Sequence, residues 1–205
     1  IRLSLVGSEM CIRDRFLGLL CTFAFVVGCC AKKVPNLKIE RDIPIDPASV
    51  VFIAGMNGVT GEQMSGSGII VESNEEESWA VSAGHVCYPE PTDQLVMWND
   101  IWMLMGFDIE GRYEPVIMVA LDQVNDICVF RLPLGGLPSA PLATSMPNIG
   151  EKVWLGAFPL GVYNPGHVPF FEGYFAGILD GRASYTIPVT GGASGGGVVN
   201  VKGEL

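Results

Sequence analysis

The chain has 205 residues, the upper end of what one compact domain holds, and 49% hydrophobic against 17% charged residues excludes an intrinsically disordered chain. Gly 26 and Pro 14 are roughly a fifth of the sequence, which points to a turn-rich, all-β protein rather than a helical bundle. With 12 basic and 22 acidic residues the net charge is −10 and no basic cluster appears, so nucleic-acid binding, which needs Lys and Arg against phosphates, is set aside.

Residues 1–15, IRLSLVGSEMCIRDR, resemble the translated adapter sequence found in assembled environmental DNA and are kept out of the fold reasoning. Residues 16–27 form an uncharged apolar run, followed by Gly28, Cys29, Cys30, Ala31 and two lysines. The run is too short to span a bilayer core but fits the h-region of a secretory signal. Val26-Val27-Gly28-Cys29 resembles the lipobox of bacterial lipoproteins, which implies cleavage before Cys29 and lipid attachment to it. The competing reading of the run is a buried core segment. Beyond residue 30 only Cys87 and Cys128 remain, too few for a disulfide-dense scaffold.

Residues 31–48, with Pro35, Pro44 and Pro47, read as a tether. From residue 49 onward, apolar and β-branched runs recur between Gly, Pro, Asn and Asp clusters. The predicted strands are 50–56, 66–71, 79–82, 95–98, 102–107, 115–121, 127–132, 152–157, 173–179, 184–187 and 198–201. Short strands at this spacing suggest a sandwich or barrel, and no segment sustains a helical period over three turns. The acidic stretch 72–77 reads as a solvated hairpin tip, since it lacks the ordered oxygen spacing of a calcium loop.

Three short stretches carry chemistry. Ala80-Val81-Ser82-Ala83-Gly84-His85-Val86-Cys87 is an apolar strand running into a histidine. In Asn125-Asp126-Ile127-Cys128-Val129-Phe130 an aspartate opens an apolar strand. Gly191-Gly192-Ala193-Ser194-Gly195-Gly196-Gly197 surrounds a serine with glycines. Each alone reads as an ordinary structural feature, a strand-end histidine or a turn. Together they supply a nucleophile, a base to take its proton, and a carboxylate to orient that base. Glycines about the serine allow the sharp turn that aims backbone N–H groups at a developing oxyanion.

With Gly66-Ser67-Gly68-Ile69-Ile70-Val71, Gly150-Glu151-Lys152-Val153-Trp154-Leu155-Gly156 and Pro159-Leu160-Gly161, these stretches resemble, in order, trypsin-like serine peptidases of the chymotrypsin fold. The texture is similar to bacterial high-temperature-requirement (Deg-type) proteases, over about residues 50–201. The separations of 41 and 68 residues keep the His…Asp…Ser order of that fold. An α/β-hydrolase, suggested by G-x-S-x-G, fails because it requires Ser…Asp…His, and no histidine follows Ser194.

The resemblance implies an all-β chain of two packed antiparallel β-barrels, 49–132 and 149–205, with the cleft between them and a Pro/Gly-rich break at 133–148. It implies a serine endopeptidase in which Ser194 attacks, His85 is the base and Asp126 orients it, with the N–H groups of Gly192 and Ser194 as oxyanion hole. Pro188, six residues before the nucleophile, marks the primary pocket; with no acidic residue at 186–193, an apolar side chain is the expected preference. Ala193 departs from the Asp or Asn usual before the serine. No metal or cofactor is called for, and His167 reads as a surface loop residue without further ligands nearby. Cys87 and Cys128 are brought within reach of a disulfide, though two packed thiols are the expectation. Family members continue past the nucleophile with further strands, so the second barrel is expected to be truncated and the chain weakly stable or inactive. The expected setting is the extracytoplasmic side of a bacterial membrane, with protein or peptide substrates and a lipid anchor. The alternative from another class is a catalytically silent surface lipoprotein that uses this scaffold for binding.

Overall fold

The computed structural model describes residues 42–88 and 102–205. The leader, Cys29 and the predicted strand 95–98 lie outside the described residues. No described helix is long and apolar enough to cross a membrane.

Among the described residues, eleven strands form two antiparallel curled sheets, half-barrels consistent with the chymotrypsin fold. The first sheet holds β1 (Val50–Asn57), β2 (Gln63–Ser73), β3 (Ser78–Ala83), β4 (Trp102–Phe107), β5 (Tyr113–Pro115), β6 (Ile117–Asp122) and β7 (Ile127–Leu132), in the order β5-β4-β1-β2-β3-β7-β6. The second is small: β8 (Lys152–Gly156), β9 (Phe170–Leu179), β10 (Arg182–Tyr185) and β11 (Gly197–Val199), ordered β10-β9-β8-β11. One turn of helix, α1 (Gly84–Cys87), follows β3.

β3 alternates buried and half-buried residues from Ser78 to Ala83, as a strand covering a core on one face should. β1 instead begins Val50-Val51-Phe52-Ile53 with every side chain buried. Its two faces serve different cores. Val51 and Ile53 pack with Ile70, Ala80, Val86, Phe130 and Leu132 inside the first sheet. Val50 and Phe52 face the other way and pack with Ile69, Trp154, Phe158 and Val199 between the sheets. A third cluster, Val153, Leu155, Ala157, Phe175, Ile187 and Ala193, lies under the second sheet.

The segment read as a tether joins the fold at its end. Ile45 is 4% exposed in the cluster between the sheets, and a 3-10 turn at Pro47–Ser49, capped by Asp46, leads into β1. The acidic stretch is a hairpin tip as expected: Asn74 Oδ1 accepts from the N–H groups of Glu76 and Glu77, closing the turn between β2 and β3.

Candidate active site

His85 reaches its place because β3 ends and α1 begins at Gly84. The histidine backbone N–H donates to Asp126 Oδ1 at 2.8 Å, and the Gly84 N–H donates to the Asp126 carbonyl at 2.9 Å. The ring Nδ1 lies 2.9 Å from Asp126 Oδ2. An ionised carboxylate only accepts, so Nδ1 carries the hydrogen and Nε2 keeps its lone pair for another proton.

Asp126 stands in the turn before β7 at φ 57°, a left-handed conformation that Asp tolerates better than most residues. That backbone lets its carbonyl and carboxylate both meet the His85 segment. Partial burial works to raise the Asp126 pKa, but the His85 N–H and ring hydrogen bonds and the charges of His85 and Arg182 outweigh it and hold the carboxyl below its ordinary range.

Ser194, half-buried, belongs to the loop between β10 and β11, and the first sheet holds that loop. The Ser194 carbonyl accepts from the Ser67 N–H at 2.8 Å, and the Gly192 carbonyl accepts from Ser67 Oγ at 2.9 Å. Ser67 Oγ also accepts from the Phe158 N–H at 2.9 Å, while Ser82 Oγ donates to the Ser67 carbonyl at 2.6 Å. Both serines are buried, so these hydroxyls act as fixed struts rather than solvated groups.

Two glycines are required here. Gly192 has φ 86°, and a Cβ there would lie 2.6 Å from the Phe158 carbonyl oxygen. Gly195 has φ 83°, and its Cβ would collide with Ser82 Oγ and the Ser67 carbonyl. Gly195 therefore backs onto the end of β3, beside the segment that leads to His85. Among the described residues no acceptor takes the N–H of Gly192 or Ser194, and no hydrogen bond joins Ser194 Oγ to His85. In unliganded sites such bonds are often long and tighten only with substrate.

Ala193, which departs from the expected Asp or Asn, is 8% exposed in the cluster under the second sheet, an apolar place for an apolar side chain. Pro188 is exposed, next to the buried Ile187. His167 is exposed, as expected, and its N–H donates to Asn164. A shallow depression of about 60 Å³ opens at His85, Tyr88 and Asp126. A larger apolar cavity of about 610 Å³, lined by Phe52, Met64, Met103, Met105 and Leu160 among others, lies outside this constellation. The titratable side chains of His85 and Asp126 converge at the shallow site, whereas none lines the larger cavity.

The expectation of two packed thiols is corrected. Cys87 and Cys128 form a disulfide, with Cα atoms 6.3 Å apart and 41 residues between them in sequence. Two cysteines are too few for a disulfide-dense scaffold, but position brings this pair together, because α1 packs onto β7. Ser67 is the other residue whose role sequence reasoning missed. A serine flanked by glycines within an apolar strand was the available signal, since a polar residue buried there needs partners.

Among solved structures, a serine endoprotease from Yersinia pestis is similar with a TM-score of 0.61 and 21% identity, over 78% of this chain and 52% of that one. That similarity concerns the fold, and the chain spans about half the length of that protein. No curated protein matches the chain. The profile of the trypsin-like peptidase domain matches residues 66–205, a stretch that contains β2 from Gly66 onward, α1, Asp126 and the Ser194 loop. On that match over more than half of its length, the protein belongs to the trypsin-like peptidase domain family.

Proposed function

We propose that the protein is a serine endopeptidase that cleaves peptide bonds through an acyl-enzyme intermediate. The observation that carries this reading is the His85–Asp126 pair, with Nδ1 2.9 Å from Oδ2, at the end of β3 and beside β2, whose Ser67 fastens the Ser194 loop. Ser194 Oγ attacks the scissile carbonyl while His85 Nε2 takes its proton. Asp126 keeps the ring in the Nδ1–H tautomer and stabilises the imidazolium that forms. The uncommitted N–H groups of Gly192 and Ser194 donate to the oxyanion. His85 then returns the proton to the leaving amine, and water repeats the sequence to release the acid. The shallow opening beside His85 suits an extended peptide lying across it better than an enclosed small molecule. Pro188 would border the primary pocket and favour an apolar side chain.

We further propose, from the lipobox-like Val26-Val27-Gly28-Cys29, that the protein lies outside the cytoplasm on a lipid carried by Cys29. Its partners there are protein or peptide substrates. Labelling by a fluorophosphonate tests the chemistry against a silent binding scaffold. The native chain should label stoichiometrically at Ser194, and Ser194→Ala should neither label nor hydrolyse casein. Peptidase activity that survives in Ser194→Ala would overturn the assignment.

A further inference from the structure

Two cysteines take no part in the chemistry above, yet both lie at the joint that brings His85 to Asp126. His85 is carried by α1 and Asp126 by the turn before β7; each is followed two positions later by one half of the disulfide. In a helix, two residues are rotated by about 200°, so Cys87 leaves α1 on the side opposite His85. The single turn is thus held twice. His85 meets Asp126 on the open side, and Cys87 meets Cys128 in the core, where they are 7% and 0% exposed.

Beyond the disulfide, α1 is tied to the turn before β7 by two backbone N–H bonds to Asp126, from Gly84 and His85. It has four residues and no side-chain cap at Ala83, and a helix of that length does not persist by itself in water. Val86 gives it one further anchor, against β2, where a Cβ on Gly66 would lie 2.5 Å from Val86 Cγ1. The His85 and Asp126 side chains are 53% and 45% exposed, and a side-chain contact so open to water is too weak to position the turn that carries it. The covalent bond does not compete with solvent. A bond that ties the two segments within two residues of the pair limits the displacement each can make.

We propose that the Cys87–Cys128 disulfide is the positioning element of the His85–Asp126 pair: it holds α1 against β7 so that His85 Nδ1–H keeps its carboxylate partner, and acylation of Ser194 depends on it. The acylation half of this inference rests on the serine-peptidase reading; the positioning half does not. The bond forms from two thiols with loss of two protons and two electrons to a thiol–disulfide oxidoreductase or a small disulfide.

The experiment compares the native protein with the same protein reduced by tris(carboxyethyl)phosphine. That reagent becomes the phosphine oxide, with water supplying the oxygen and the two thiol protons. Reduction leaves both sulfurs in the core, so packing is nearly constant and the covalent link is what changes. Both forms are measured at a temperature where near-ultraviolet circular dichroism shows them folded. If the reduced form does not stay folded, the Cys87→Ala/Cys128→Val pair, which refills the space, takes its place.

Long-range proton–nitrogen correlation reads the His85 tautomer at a pH where the ring is neutral, and a fluorophosphonate reads acylation. We expect the Nδ1–H tautomer in the disulfide form, a mixture with Nε2–H after reduction, and labelling slowed by about ten-fold or more. A tautomer unchanged on reduction overturns the proposal whatever the labelling does. If both forms label, equal rates overturn it too. If neither form labels, the peptidase reading falls, and the tautomer shift alone decides whether the disulfide positions the pair.

Discussion

At the scale of single residues, Asp126 is held more closely than either of its expected partners. Its carbonyl and both carboxylate oxygens are engaged by Gly84 and His85, and its φ of 57° is tolerable for Asp or Asn but strained for a branched side chain. Asp126→Asn should therefore fold. An amide cannot fix the Nδ1–H tautomer as a carboxylate does, so kcat should fall by about 10⁴-fold with little change in KM. Steady-state kinetics on a chromogenic peptide checks this.

The same carboxyl makes stability depend on acid. Its native pKa is lowered, so its bonds contribute above the ordinary aspartate value of about 4, and the contribution is lost as pH falls through the lowered native value. The Tm difference between the native chain and Asp126→Asn should hold near neutral pH and shrink below about pH 4. The side chain is nearly half exposed, so the difference will be small.

Among the elements, β2 does the most for the site, through one hydroxyl. Ser67 Oγ donates to Gly192 and accepts from Phe158 while fully buried. Ser67→Ala leaves the Phe158 N–H unsatisfied and frees the Gly192 carbonyl. We expect a stability loss of about 1–3 kcal/mol and a larger proportional loss of labelling rate, since the oxyanion donors are then held less firmly. Denaturant melts and labelling kinetics on one preparation separate the two effects. Ser67→Cys, which keeps a weak donor, should recover part of the rate.

β4 and β7 match the sequence expectation at both ends because apolar, aromatic and β-branched residues mark them throughout. β2 begins three residues before its predicted start, since Gln63, Met64 and Ser65 pair with β1 through the backbone and show no apolar pattern. β5 was not foreseen: Tyr113-Glu114-Pro115 is a three-residue edge strand, fastened by pairing to β4 alone. α1 was equally illegible, because four residues cannot display a helical period. For the site, residue types and order pointed to His85, Asp126 and Ser194. The struts at Ser67 and Ser82 did not show, because their partners lie 125 and 15 residues away; only the place of Ser67 between glycines in an apolar strand marked one of them.

At the scale of the molecule, the anchor is the part most open to direct trial. If Cys29 carries the lipid, Cys29→Ser should abolish palmitate incorporation in the producing cell and leave an uncut precursor. Unchanged incorporation would remove the lipoprotein reading while leaving the peptidase reading intact. Several acyl chains on one cysteine would hold the protein firmly, whereas one would bind only marginally.

The attachment of the Ser194 loop to Ser67 bears on how the protein comes into being. The loop lies 125 residues from its strut along the chain, and the sheet that supplies the strut is itself closed by pairings as distant as Ser78 with Leu132. Such contacts form only after the loop-closure entropy between them has been overcome, which makes them slow and late in folding. A half-folded chain therefore has Ser194 without its Ser67 strut, and a growing chain has His85 before it has Asp126 or Ser194. Reactivity should arrive in one step with the final docking of the sheets. In a refolding experiment, fluorophosphonate labelling should lag behind the far-ultraviolet signal of the strands, and a chain still being made or exported would be harmless to its neighbours.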